Sequence, residues 1–438
     1  MARRCVAEEY TEDCKSMEAS SWVVRDKACI WHPFTQAQTA PPVIPIVRGQ
    51  GAYLYAETGE AYLDGISSWW VNLHGHAHPY IAEKISKQAL ELEHVIFAGY
   101  THPQAITFAE RLLRILQLGK AKVFYSDNGS TAVEAALKMA FQAAGNGKTL
   151  LSFKDAYHGD TFGAMAAAGK THYNRPFWPY LFKVHSIPAP IPGKEEESWR
   201  EFEGALATGE VAAFIFEPLL QGCGGMRPHS REYLEKMMKA CQQRGIITIA
   251  DEVMTGFGRT GPLFTSGILN LTPDIVCLAK GITGGFVPLG VTVAKEFLYN
   301  AFLSPDPSRA FLHGHSYTAN PLACAAANAS LDLLLRHECA EARAMIELAH
   351  QSFQTRWKGH PKLLRCDVIG TILALEYAEE DGSYFHPLGK KLLRFFQNEG
   401  ILLRPLGNVL YILPPYCITR EELERIYETI AITLENWA

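Results

Sequence analysis

Two side chains in this sequence stand where a fold can do chemistry. Lys280 lies in the stretch TPDIVCLAKGITGG (272–285). An apolar run from Ile275 to Ala279 reads as a buried strand that stops at the lysine, and Gly281, Gly284 and Gly285 follow at once. Asp251 ends a second apolar strand, GIITIA, twenty-nine residues earlier. Open α/β sheets bind ligands at the carboxyl ends of their strands, so the two residues can face one site. An amine beside an acid suits pyridoxal phosphate, whose aldehyde needs an amine and whose ring nitrogen needs an acid. The spacing alone fits a surface lysine in a turn equally well.

The elements that must position this pair are legible in order. KVFYSDNGSTAVEAALKMAFQAA (122–144) reads as strand, polar turn and long helix. Its turn offers Gly129, Ser130 and free backbone N–H groups at a helix start, an anion site by geometry and dipole. The same turn is also consistent with an ordinary N-cap by Ser130, with Glu134 nearby. The strand TLLSF (149–153) leads to a glycine-containing loop with Tyr157, His158 and Asp160, where an aromatic can cover a planar ring. VAAFIFEP (211–218) is a strand ending at Glu217, QGCGG (221–225) a flexible turn, and 231–245 a helix stopped by Gly245. Strands alternate with helices from about 80, where a helix is expected, to 330. The fold class this predicts is α/β with a mostly parallel sheet.

Other segments frame that core. Residues 1–30 read as a loosely ordered arm, and 52–66 as two short strands turned by Glu57-Thr58-Gly59-Glu60. Trp69 and Trp70 are either a core pair or the lining of an apolar pocket. His74, His76 and His78 have metal-strand spacing, but Pro79 follows and no carboxylate or cysteine cluster joins them, so packing roles are expected and no metal. GFGRTG (256–261) matches a dinucleotide fingerprint in letters only. Residues 252–255 separate it from the strand and Pro262 follows, so a glycine-rich loop near the active site is expected. A loop with Ser316 and Thr318 precedes an Ala-rich helix. Past 335 a second domain begins, with a hairpin or strand pair (401–415) carrying Arg404. A last helix starts at a Thr419–Glu422 capping box, with Leu423, Ile426, Tyr427, Ile430 and Leu434 as its apolar stripe.

Bulk properties exclude several classes. The 438 residues exceed one ordinary core, 48% are hydrophobic, 20% are charged, and the net charge is −5 with signs mixed. No basic face suggests nucleic acid. The N-terminus lacks the apolar segment of a signal peptide, and no run approaches the ~20 apolar residues of a membrane span. Ten scattered cysteines without a Cys-x-x-Cys pair predict a reduced, cytoplasmic protein.

Taken together, DEVMTGFGRTG, AKGITGG and NGSTAVEAALKMA resemble the class III, fold-type-I pyridoxal-phosphate aminotransferases over residues 30–435. WHPFTQ, DGISSWWVNLHGH, YHGDTFGAM, EPLLQGCGG, HGHSYTANPLACAAANASL and RPLGNVLYILPP are most similar to the branch of that class that makes 7,8-diaminononanoate for biotin. The resemblance implies a large domain (76–332) built on a seven-stranded, mostly parallel sheet between helices. It implies a smaller α+β domain from both chain ends, residues 1–75 and 333–438. It implies amino transfer to 8-amino-7-oxononanoate from S-adenosylmethionine, or from lysine, or else another ω-amino acid reaction.

Roles follow from the same resemblance. Lys280 would carry the cofactor and then move protons; Asp251 would face the ring nitrogen. Tyr157 and Val253 would cover the ring faces, and Gly129 and Ser130 would hold the phosphate. His315 and Ser316 would contribute to cofactor binding, Ser316 from the second subunit of a homodimer with shared active sites. Phe34, Trp69, Tyr157, Lys280, Gly314 and Arg404 would bind substrate, Arg404 clamping a carboxylate, and Tyr157 would join Lys280 and Asp251 in catalysis. Two positions depart from common wording. Phe34 replaces a frequent tyrosine, which leaves the donor open. Cys223 stands where ornithine- and 4-aminobutyrate-type relatives carry glutamate, which argues against those substrates.

Overall fold

A computed structural model describes residues 21–145, 149–379 and 384–437. Its centre is a seven-stranded sheet. In spatial order the strands are Ala121–Ser126, Gly290–Lys295, Ile275–Leu278, Ile247–Asp251, Val211–Phe216, Thr149–Phe153 and Val184–Ile187. Gly290–Lys295 runs antiparallel to both neighbours, and the other strand pairs are parallel. The central strands VAAFIF, ITIAD and IVCL are buried at every position. That is why they read as continuous apolar runs: helices cover both faces. Helix Gly129–Ala143 packs Ala132, Val133, Ala136 and Leu137 against one face, in a cluster with Ile215, Ile249, Ile275 and Cys277.

The two chain ends meet. Strands Ile46–Gln50, Tyr53–Ala56 and Ala61–Asp64 form an antiparallel ribbon turned at Glu57–Glu60, and Ile401–Leu402 joins its edge in parallel. Leu363–Ile369, Ile372–Tyr377 and Val409–Ile412 form a separate antiparallel sheet. The expected hairpin over 401–415 is therefore wrong in its pairing. Pro405 and Gly407 do turn the chain, and Leu406 bridges Val409, but the two strands go to different sheets. Arg404 sits on the link between them. The arm expected over residues 1–30 is, in its described part, a helix, Trp22–Cys29, with no buried residue; residues 1–20 lie outside the described set. No helix of the described residues is long and apolar enough to cross a membrane.

The GFGRTG loop is a structural junction and does not line the cavity described below. Arg259 is 1% exposed. Its Nη1 donates to the Pro414 carbonyl (2.7 Å) and its Nη2 to those of Trp70 (3.4 Å) and Asn72 (3.5 Å), while Thr371 N donates to the Arg259 carbonyl (2.9 Å). One buried guanidinium thus ties three distant segments, and burial pulls its pKa below the usual value. The final helix, Arg420–Asn436, opens on the expected capping box: Thr419 N donates to Glu422 (2.7 Å) and Glu422 N to Thr419 Oγ1 (3.2 Å). Its stripe from Leu423 to Leu434 is buried. Replacing Thr419 by Ala is expected to lower stability by about 1 kcal/mol, the usual loss of an N-cap; urea unfolding followed by circular dichroism measures it, and an unchanged midpoint would count against the cap.

Candidate active site

Three neighbouring strands end in ionisable residues: Glu217 one residue past Phe216, Asp251 at its strand's last position, and Lys280 two past Leu278. Adjacent strands lie about 4.8 Å apart, so sheet geometry alone brings these groups together. They line one cavity of about 550 Å³ with Phe34, Trp69, Trp70, Gly129, Ser130, Tyr157, Val253 and Arg404.

Lys280 is the residue where the strand gives way. Its φ is +40°, uncommon for an L-residue, and Gly284 and Gly285 continue the turn at +65° and +88°. A Cβ on Gly281 would press on Leu73 at 3.0 Å, and one on Gly285 would meet the Asn72 side chain at 2.8 Å, so glycine keeps this loop tight. The Lys280 Nζ lies 4.6 Å over the Trp70 ring. Desolvation by the walls pulls its pKa below the usual lysine range, opposed by Cys223, Asp251, Glu217 and Asp160. A larger share of neutral amine, the nucleophilic form, results.

Asp251 is buried and accepts on both oxygens: from Val253 N at 3.1 Å and from His158 Nδ1 at 2.7 Å. The other ring nitrogen of His158, Nε2, is buried without a partner. A bare nitrogen there costs less than an orphaned N–H, so the proton belongs on Nδ1, donated to Asp251. The carboxylate is thereby held as an acceptor.

The turn before helix Gly129–Ala143 is capped by Asn128, not by Ser130. The Asn128 side chain accepts from Thr131 N (3.0 Å), and Asn128 N donates back to Thr131 Oγ1 (3.2 Å). Ser130 Oγ instead accepts from Asp160 N (3.1 Å), and Glu134 accepts from Gly163 N (2.7 Å). Gly129 and Ser130 therefore keep first-turn N–H groups for which a helix has no acceptor of its own. A Cβ on Gly129 would lie 2.7 Å from Val253 Cγ1, and one on Gly290 2.3 Å from the Asn128 carbonyl oxygen. This is a cradle that only glycine leaves open. An amine, an acceptor carboxylate and unpaired N–H groups at a helix start are the donor set pyridoxal phosphate demands, and the residues fit it.

Aromatics build the outer wall. Ser67, Ser68, Trp69 and Trp70 form a turn with φ of +51°, +44°, +75° and +76°. Such conformations cost roughly 1–2 kcal/mol per residue. Ser67 Oγ donates to the Leu413 carbonyl (2.9 Å), Ser68 Oγ to Asp64 (2.8 Å), and Trp70 Nε1 to Tyr411 OH (3.0 Å), holding the turn. Each tryptophan carries a cation: Trp70 the Lys280 amine, and Trp69 the Arg404 guanidinium at 4.6 Å. Phe34 packs edge-on to Trp69 at 5.5 Å. Tyr157 donates its OH to Asp160 (2.8 Å), and burial raises its pKa. Tyr173 and Tyr384 join it as an edge-to-face chain.

Gly314, His315 and Ser316 do not line this cavity; they sit on an exposed loop folded by a His315 N to Thr318 Oγ1 bond of 3.1 Å. The three histidines pack: His74 against Ser330 (3.1 Å), His76 against Asp64 (2.8 Å) and His78 edge-on to His74. Among the described residues no cluster could hold a metal. Sequence reasoning gave no role to Glu217, Tyr173, Tyr384 or Asn128. The strand-end rule that found Asp251 also marks Glu217, whereas the two tyrosines lie in loops without periodicity.

Against this geometry, the family model for class-III aminotransferases matches residues 34–434. A Synechococcus elongatus protein named adenosylmethionine-8-amino-7-oxononanoate aminotransferase is 48% identical over 93% of this chain and 98% of its own. The crystal structure of an enzyme of that name from Methanocaldococcus jannaschii superposes with a TM-score of 0.87 at 35% identity, covering 93% of this chain and 97% of that one. An ω-transaminase of Pseudomonas jessenii in complex with PMP gives a TM-score of 0.87 at 25% identity, over 95% and 98% of the two chains. With its strand-end lysine and aspartate at the mouth of a mixed seven-stranded sheet, the chain belongs to the class-III aminotransferases.

Proposed function

We propose that this protein uses pyridoxal phosphate to transfer an amine from S-adenosylmethionine to 8-amino-7-oxononanoate, giving 7,8-diaminononanoate. The observation that carries the reading is the convergence of Lys280, Asp251, the Gly129 cradle and the Trp69–Arg404 pair on one cavity, in a chain 48% identical to a relative named for that reaction. Bound pyridoxal phosphate supplies an aldehyde and an electron-withdrawing ring, which allow an amine to leave one substrate and be given to another.

The chain's own residues do the rest. Lys280 Nζ, with its lowered pKa, takes a proton from one carbon and returns it to a neighbouring atom from a single position. Asp251, held as an acceptor by His158 and Val253 N, would accept from the ring nitrogen of the bound cofactor. Gly129 and Ser130 would hold the phosphate through their first-turn N–H groups, and Tyr157 and Val253 would flank the cofactor. Arg404 lies on the Trp69 face, which orients its planar fork for a substrate carboxylate. Phe34 and Trp69 give that end of the cavity an apolar, aromatic wall. The segments 1–75 and 333–438 act as the small domain and 76–332 as the large one. A homodimer completes the site: a second copy brings its Gly314, His315 and Ser316 loop to this cavity. The protein works in the cytoplasm on small molecules, without nucleic acid or membrane.

Three outcomes follow. Lys280→Ala is expected to abolish the visible absorbance of the bound cofactor and to lower turnover by about 10²- to 10⁴-fold or more; a retained band would reject the covalent role. Steady-state assay is expected to show turnover of 8-amino-7-oxononanoate, with S-adenosylmethionine outcompeting lysine as donor, and little with 4-aminobutyrate, ornithine or β-alanine. No turnover of the oxononanoate sinks the reading, and a lysine-only result shifts the donor and ties it to Phe34, which Phe34→Tyr then checks. Arg404→Lys is expected to raise KM for the oxononanoate about tenfold, the loss of roughly one charge-assisted hydrogen bond, with the absorbance band unchanged.

A further inference from the structure

Glu217 is a buried carboxyl that none of the steps above uses, although it lines the same cavity. Its two oxygens divide between two loops. Oε2 accepts from Tyr157 N at 3.3 Å, and Oε1 accepts from Gly222 N at 2.9 Å. Tyr157 is the aromatic wall on one side, and Gly222 precedes Cys223, a wall residue on another. The loop from Glu217 to Met226 is strained, with Leu219 at φ +65° and Met226 at φ +48°. Its far end is fixed independently: the Arg365 guanidinium holds the carbonyls of Gly225 and, at 2.9 Å, of Met226. His229 Nε2 lies 2.9 Å from the carbonyl of Glu217 itself, which anchors the residue's main chain.

We infer that Glu217 is a positioning residue whose carboxylate sets the spacing between the Tyr157 wall and the Cys223 wall of the cavity. The inference deepens the aminotransferase reading and rests on it for what the cavity does. A carboxylate suits this task because both oxygens accept. A protonated carboxyl turns one oxygen into a hydroxyl, a weaker acceptor that also carries a donor, and so loosens one of the two loops. The surroundings bring that change near neutrality. Burial pushes the Glu217 pKa up to about 7; Asp251 adds to the rise, and His158 and the N–H groups of Gly222 and Tyr157 oppose it. Lys280, from its own loop, and Cys223, whose thiol burial pushes up to about 12, are the other titratable groups coupled to it. The bridge is therefore complete above about pH 7 and opens as pH falls through that value.

Amide hydrogen exchange on the full-length holoenzyme tests this without any substrate. Protection at the Tyr157 and Gly222 amides is expected to drop about tenfold between pH 8 and pH 6, after correction for intrinsic exchange, while strand amides such as Ile249 stay constant. Glu217→Gln, which presents an NH₂ to one of the two donors, is expected to give low protection at all pH values. It should lower kcat/KM about tenfold at pH 8 and remove the acidic limb near pH 7 from its pH profile. Protection that stays high at pH 6, or an acidic limb that persists in Glu217→Gln, overturns the proposal. If Glu217→Gln does not fold, the pH series on the unsubstituted protein decides. Because exchange needs no turnover, it separates failure of this inference from failure of the assigned reaction.

Discussion

Ending a hydrophobic strand on a charge is the constraint from which this site grows. Each of three adjacent strands is buried at every residue, and each ends in an ionisable group that must be compensated within a few residues. Desolvation disfavours a charged form, lowering the pKa of an amine and raising that of an acid. Lys280 and Glu217 follow that rule, in opposite senses. Asp251 is instead held as an acceptor by a buried histidine and a main-chain N–H. The carboxyl ends of three central strands thus bring together an amine of lowered pKa, a carboxylate that accepts on both oxygens and a carboxyl of raised pKa.

The second device is strain. Four consecutive left-handed residues, Ser67 to Trp70, are unfavourable on their own, so the surrounding bonds must over-determine them. They do: Asp64, Leu413, Tyr411 and Arg259 each hold one part of the turn or the chain just beyond it. The result is two neighbouring indoles, each beneath a different cation of the site. Lys280 repeats the pattern at a single residue, where φ turns positive between an extended strand and a glycine loop.

Much of this was legible because it is local. Apolar runs with polar ends located the strands, and the Thr419–Glu422 box located the last helix to the residue. Local signals also misled. Pro405 and Gly407 look like a hairpin turn, but which sheet each flanking strand joins is decided by partners more than 300 residues away at Leu63, or in Ile372–Tyr377. Ser130 reads as the cap of its helix, but Asn128 takes that place by accepting from Thr131 N, and Ser130 Oγ turns to Asp160 N thirty residues away. The wall tyrosines at 173 and 384 come from irregular segments, where no periodicity marks which side chain points inward.

Chemistry and choice also come from different parts of the chain. Lys280, Asp251 and the Gly129 cradle stand on the sheet, whose register is fixed by long parallel ladders. Phe34, Trp69 and Arg404 come from the chain ends, held by the strained turn and by the short Ile401–Leu402 pairing. Arg404 follows a two-residue strand and precedes Pro405, so its position depends on few main-chain bonds. A substitution near it can reshape the outer cavity without disturbing the lysine. The sheet-borne half can therefore stay constant while the outer half varies.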